Sequence, residues 1–223
     1  MSHSYRVIDL GLSDFRDVWE IQKKWFNHHL QAIEKGESSE NILIVCSHHP
    51  VYTLGKNGRA EHLLSDSVAP LIQIERGGDI TFHGPGQMVI YPVFRLESFR
   101  IGISAYIQML ENVIIQVLSG YGLMCSTKPG AQGVWLDAET RIKCRKIAAV
   151  GVKSTKGVTM HGTAINLNTN LEWFSHIVPC GLPEYGVTSL SQELGKAVDE
   201  SEFQQRFLNQ FEVVFQNRMS NNE

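Results

Sequence analysis

The sequence predicts an α/β fold of the α+β type with a mixed sheet, folded as one domain over residues 1–223. Three observations lead there. Apolar residues recur at helical spacing in three long segments, strand-like runs fill most of the chain between them, and no linker rich in Pro, Ser or charge divides it. With 223 residues the chain is long enough for a sizeable core, and its 43% hydrophobic and 19% charged residues are those of an ordinary globular protein.

In chain order, Tyr5-Arg6-Val7-Ile8-Asp9-Leu10 reads as a strand. A helix follows over 14–34, with Phe15, Val18, Trp19, Trp25, Phe26, Leu30 and Ile33 at helical spacing and Gly36 closing it. Strands are expected at 41–46, 71–75, 79–83, 88–94, 133–136, 141–152 and 158–167. The second helix starts after Ser104 and carries Ile107, Leu110, Ile114, Val117 and Leu118. The third covers 199–219, where Asp199 and Glu202 stand at capping-box spacing. Its stripe of Phe203, Phe207, Phe211 and Phe215 has the spacing of a core face, although the tail after Phe203 is expected to form a small helical appendage.

Composition excludes several classes. The apolar runs are far short of a membrane span, and the N-terminus lacks a signal peptide's apolar stretch, so no membrane association and a cytoplasmic location are expected. A formal net charge of −3 argues against a nucleic acid or other polyanion as partner. Cys46, Cys125, Cys144 and Cys180 stand far apart and are expected as reduced thiols. Cys46 lies near His48 and His49, but no second Cys/His pair completes a metal site; the expected reading is a buried thiol ending a strand and two loop histidines. No metal and no cofactor are expected, and neither a phosphate loop nor a dinucleotide fingerprint is present.

The chemistry concentrates in three places. The first is Arg76-Gly77-Gly78-Asp79-Ile80-Thr81-Phe82-His83-Gly84-Pro85-Gly86-Gln87, where four glycines open the backbone beside a titratable ring and an amide. Such a segment reads either as a hairpin with two turns or as a ligand loop. The second is Lys146. Read as an extended strand, 141–150 places Ile142, Cys144, Lys146, Ala148 and Val150 on one face, so Lys146 is the only charge on an apolar side. An amine out of water gives up its proton more readily, which makes it usable as a base; a lysine snorkelling at a sheet edge, or a bulge that shifts the register, is the alternative. The third is Cys180, in the turn Val178-Pro179-Cys180-Gly181, exposed at a pocket mouth or buried as an ordinary thiol. A nucleophilic thiol needs a base or cation nearby, and His83, His161 and Lys146 are the candidates. Thr81-Phe82-His83-Gly84 is echoed by Thr159-Met160-His161-Gly162, which suggests two strand ends lining one pocket. Between 141 and 156 stand six basic residues and no acid, a local basic patch.

These motifs resemble those of the lipoate-protein octanoyltransferase family. The signature R-G-G-x-x-T-[FY]-H-G-P-G-Q is complete at 76–87, K-I-A-x-x-G stands at 146–151, H-G-x-A-x-N at 161–166 and P-C-G at 179–181. The segment 49–55 resembles the family's upstream loop, so the likeness runs from about 47 to 190 in the family's order. The resemblance implies the biotin/lipoate protein ligase-like catalytic fold. It also implies transfer of octanoyl from octanoyl-acyl carrier protein to a lysine of lipoyl domains, in 2-oxoacid dehydrogenase complexes and the glycine cleavage H protein. By that resemblance Cys180 and Lys146 are catalytic: Cys180 carries the acyl group, and Lys146 activates the thiol and moves protons. Arg76, Gly77, Gly78, Asp79, Ile80, Thr81, Phe82 and His83, with Ala149, Val150, Gly151, Gly162, Thr163 and Ala164, line the acyl pocket. Arg141, Lys143 and Arg145 are then expected to dock the acidic donor, and a monomer is expected. The rival readings are an ATP-dependent lipoate or biotin ligase on the same fold, a non-catalytic acyl-binding module, and a cysteine hydrolase.

Overall fold

The computed structural model describes residues 5–65, 69–140 and 143–220, with side chains up to 215. The strands are β1 (Tyr5–Ser13), β2 (Asn41–His48), β3 (Val51–Leu54), β4 (Leu71–Gln73), β5 (Ile80–His83), β6 (Gln87–Val93), β7 (Cys125–Lys128), β8 (Ala131–Leu136), β9 (Arg145–Thr155), β10 (Val158–Asn166) and β11 (Gly186–Val187). The helices are α1 (Phe15–Lys35), α2 (Ile103–Ser119), α3 (Leu190–Leu194) and α4 (Glu200–Ser220). Asp14 caps α1 by accepting from Arg16 N, and the left-handed Gly36 closes it. Asp199 caps α4 by accepting from Ser201 and Glu202 N, while the Glu202 side chain turns to Arg206, so the capping box is half made.

The strands form two sheets. The large one has the order β1-β2-β6-β10-β9-β8-β7, with β11 added to β9; β1–β2 and β9–β11 are parallel and the rest antiparallel. The small one is β4-β3-β5. Central strands β2 and β6 are buried on both faces, which is why they read as continuous apolar runs. Leu43, Val45, Met88 and Ile90 face a core built with α2 and α4, whereas Ile42, Ile44, Val89, Tyr91 and Val93 face one built with α1. The four phenylalanines of α4 lie fully buried in the first core, so the C-terminal helix is a layer of the fold and not the expected appendage.

The glycine-rich segment is not a hairpin. β5 pairs with β3 in the small sheet and β6 with β2 and β10 in the large one, so 84–86 is the crossover between sheets. Gly86 carries it with φ of 78°, and a Cβ there would stand 2.6 Å from the Asn168 backbone. Among the described residues no helix is long and apolar enough to cross a membrane.

Candidate active site

Between the β9–β10 part of the large sheet and the small sheet lies a cavity of about 170 Å³. Lys146 enters it from the start of β9, and Cys180 from a one-turn 3₁₀ segment, Pro179–Gly181. Lys146 Nζ donates to Cys180 Sγ at 3.2 Å and to the Gln132 carbonyl at 2.9 Å, and it stands 4.6 Å over the centroid of the Trp135 ring. Cys180 itself has a φ of 57°, a left-handed conformation that costs a non-glycine residue free energy and turns its thiol toward the amine.

The route to that contact differs from plain alternation. β8 and β9 pair at Trp135–Lys146 and again at Val134–Ala148, so β9 spends one extra residue there. Beyond this bulge the faces exchange. Lys146, Ala149 and Gly151 line the cavity, while Ile147, Ala148 and Val150 join the core against α2, Val150 touching both. The expectation that Ala148 shares the Lys146 face is corrected accordingly, while Val150 meets both the cavity and the core. Alternation also sorts β5: Thr81 and His83 line the cavity, whereas Ile80 and Phe82 point the other way, into the core of the small sheet with Tyr52 and Phe174. Arg76, Gly77, Gly78, Asp79, Gly162, Thr163 and Ala164 all line the cavity, and so do both echo histidines, His83 and His161.

The cavity holds a second cation. Arg76 is buried, and its guanidinium donates to the Thr53 carbonyl (2.7 Å), Thr53 Oγ1 (3.0 Å) and the Gly77 carbonyl (3.0 Å). Burial pulls its proton affinity down, and interaction with the Cys180 sulfur pulls it back up. The neighbouring rings are neutral: burial, reinforced by His48, pushes His83 down to about 3, and burial, with the Arg76 charge, pushes His161 down to about 3. His83 Nδ1 shares a hydrogen with Gln87 Oε1 at 2.8 Å, and Gln87 Nε2 donates to Asn166 Oδ1 at 2.9 Å, tying three motif positions into one buried network. Asp79 accepts from Ile80 N and shares a hydrogen with His62 Nδ1, 2.6 Å away.

Sequence reasoning missed Trp135, the Gln132 carbonyl, His62 and Glu111, because each is brought in by strand pairing or packing and none lies in a motif. Glu111, buried on α2, accepts from Gly133 N at 2.8 Å; burial raises its carboxyl, opposed by that bond and by Lys146. The basic patch is also less free than its sequence suggests. Arg145 grips Glu193 with two bonds of 2.7 and 2.6 Å and pairs with Asp137, Lys153 pairs with Glu75, and Lys156 with Glu34. Arg145 of the expected docking face is thus already paired within the chain, and Arg141 lies outside the described residues. Cys46 is buried with its sulfur 3.6 Å from His48 Nε2, which also meets Tyr91 OH at 2.9 Å; His48 ends β2 and is no loop residue.

Residues 14–212 match the family described as the lipoyl protein ligase A/B catalytic domain. An octanoyltransferase of Bacteroides fragilis is 45% identical over 204 residues, covering 89% of this chain and 92% of that one. Another, from Parabacteroides distasonis, is 47% identical over 202 residues, covering 88% and 91%. Among solved structures, a lipoate-protein ligase A bound with ATP superposes with a TM-score of 0.69 at 15% identity, over 96% of this chain and 86% of that one. A biotin protein ligase from Aquifex aeolicus does so with a TM-score of 0.53 at 13% identity, over 96% and 71%. The fold is thus the catalytic fold of the lipoate and biotin protein ligases, and the relatives in sequence make the protein an acyltransferase. The chain belongs to the lipoyl protein ligase A/B catalytic-domain family, among its octanoyltransferases.

Proposed function

We propose that this chain, acting as one monomeric cytoplasmic catalytic domain, moves an octanoyl group from octanoyl-acyl carrier protein to a lysine of a lipoyl domain by way of a Cys180 thioester. The acceptors are the lipoyl domains of 2-oxoacid dehydrogenase complexes and the glycine cleavage H protein. The observation that carries the reading is the 3.2 Å contact of Lys146 Nζ with Cys180 Sγ beside a cavity walled by small residues. A solved lipoate protein ligase of Thermoplasma acidophilum, described together with its E2 lipoyl domain, supports the choice of acceptor; it resembles this chain with a TM-score of 0.69 at 16% identity.

The reaction needs the thiol proton on Lys146, and the contact of Nζ with Cys180 Sγ is the path it takes. The Cys180 sulfur attacks the donor's thioester carbonyl, and the carrier's sulfur leaves with the proton from Lys146. The acceptor amine then attacks the acyl-enzyme and loses a proton to the now neutral Lys146, and the Cys180 thiolate departs. Atoms balance as one thioester and one amine giving one amide and one thiol. Exchange between two thioesters is nearly isoenergetic, so no nucleotide is needed for activation. Arg76 supplies a second positive charge to the sulfur. The alkyl chain lies along Ala149, Gly151, Gly162 and Ala164 on the cavity wall.

Incubation with octanoyl-acyl carrier protein and an unmodified lipoyl domain, without ATP, should add one octanoyl mass to the domain. Transfer that instead requires ATP and free octanoate would make the protein a ligase. Donor binding with no transfer would make it an acyl-binding module.

A further inference from the structure

The turn that carries Cys180 is tied down at both ends. Beyond it, β11 joins β9 beside Lys146, with Thr188 N donating to the Lys146 carbonyl at 2.9 Å. Before it, residues 62–64 and 176–178 run antiparallel. Leu64 N donates to the His176 carbonyl and Val178 N to the His62 carbonyl, both at 2.8 Å, around a Leu63–Ile177 bridge. The His62 ring then reaches Asp79, just before β5, with Nδ1 2.6 Å from Oδ2; Asp79 Oδ1 in turn accepts from Ile80 N at 2.6 Å. A carboxylate only accepts, so the ring carries its hydrogen on Nδ1. Gly181 lies directly against this pair: a Cβ there would stand 2.6 Å from Asp79 Oδ2 and 3.2 Å from His62 Cε1. Cys180 and Gly181 are consecutive left-handed residues, with φ of 57° and 68°. A non-glycine residue keeps that backbone only where its surroundings impose it.

Resting on the proposed octanoyl transfer, we propose that His62 and Asp79 clamp the nucleophile's turn, holding Cys180 left-handed with its sulfur against Lys146. His62 acts twice, through its carbonyl on Val178 before the cysteine and through its ring on the carboxylate that meets Gly181 after it. It is a positioning residue: Asp79 is among the residues that line the cavity and His62 is not. Without the ring, Asp79 loses the partner that fixes Oδ2, and the turn is free to relax toward ordinary backbone. The thiol and the amine then stay intact, but they meet in fewer molecules. The cost therefore falls on the rate of acyl capture and not on the binding of the donor, whose chain lies along other residues.

The test is single-turnover octanoylation of Cys180 by octanoyl-acyl carrier protein, followed by intact mass over a range of donor concentrations, in the wild type, His62→Leu and His62→Asn. His62→Leu should lower the rate at saturating donor about tenfold or more and leave the half-saturating concentration within about twofold. His62→Asn puts an amide nitrogen in the place of Nδ1, so it keeps a donor for Asp79 without a ring to exchange protons; it should stay within about threefold of the wild type. The rate constant is read over the reacting fraction alone, so a lowered yield of folded variant cancels. A wild-type rate in His62→Leu, or a loss confined to half-saturation, overturns the inference while octanoyl transfer still stands. An equal loss in both variants also overturns it, since the ring's own proton chemistry would then be what the reaction needs. Absence of octanoylation in the wild type overturns the parent reading, and this one with it.

Discussion

Cys180 and Lys146 meet because two backbone irregularities aim them: a bulge opposite Trp135 and a left-handed residue in a one-turn 3₁₀ segment. The cleft beside them depends on equally small features. A Cβ at Gly151 would stand 3.0 Å from Arg76 Cδ and 3.2 Å from the Gly77 carbonyl, so any side chain there narrows the acyl path. Gly151→Val should therefore raise KM for the octanoyl donor about tenfold or more. Alkylation of Cys180 by a small reagent should change little, and donor kinetics read beside alkylation rate check this. The motifs single out both residues, a lone lysine among apolar neighbours and a thiol between Pro and Gly, and the fold brings the two together. Their geometry was not legible in the sequence. Alternation puts Ala148 on the Lys146 face and the fold does not, because a bulge depends on the hydrogen bonds of a partner strand, which the β9 sequence does not encode.

At the scale of elements, periodicity located all three long helices and most strands, since helical and strand spacing are local properties. Pairing is not local. His83 and Gln87 look like the ends of a hairpin, yet β5 and β6 belong to different sheets, and the loop between them is held by Leu167 and Asn168, which donate to the Gly86 carbonyl. Short strands such as β7 and β11 escaped notice because they are too short to show a period. The same limit hid the role of α4. Its stripe was read as core, but only the structure shows that core to be shared with α2 and the large sheet. Phe211 stacks on Phe215 at 4.2 Å between centroids and packs edge-on to Phe94 and Tyr5. Phe211→Ala should cost about 3–5 kcal/mol and lower the Tm by on the order of 10 °C. Thermal unfolding checks this; a change within 2 °C or so would return α4 to the status of an appendage.

Across the whole molecule, charge and titration follow burial more than composition. Within the basic run at 141–156, Arg145, Lys153 and Lys156 are answered by Glu193, Asp137, Glu75 and Glu34, a pairing that linear charge counting cannot see. Four of the described histidines lie buried and held toward the neutral form, chiefly by burial: His29 is lowered, His48 is pushed down to about 4 and His83 and His161 to about 3. An unfolded histidine titrates near 6.5, so below that pH the unfolded chain takes up protons that His48, His83 and His161 refuse in the folded one until pH 3–4. Their contribution to stability is thus complete above about pH 6.5 and is lost as pH falls toward 4, at up to about 1.4 kcal/mol per pH unit for each ring. Glu111, whose carboxyl is raised, works weakly in the other sense. Urea unfolding at pH 7 and pH 5 should show a loss of a few kcal/mol, and equal stability at both would contradict the buried neutral cluster.

The measurement that bears most directly on the central claim is the intact mass of the protein itself after mixing with octanoyl-acyl carrier protein alone, for the wild type and Cys180→Ser. The account predicts one added octanoyl mass on the wild type, none on Cys180→Ser, and its discharge when a lipoyl domain is added. An adduct that persists in Cys180→Ser, or transfer to the domain by that variant at the wild-type rate, would contradict it.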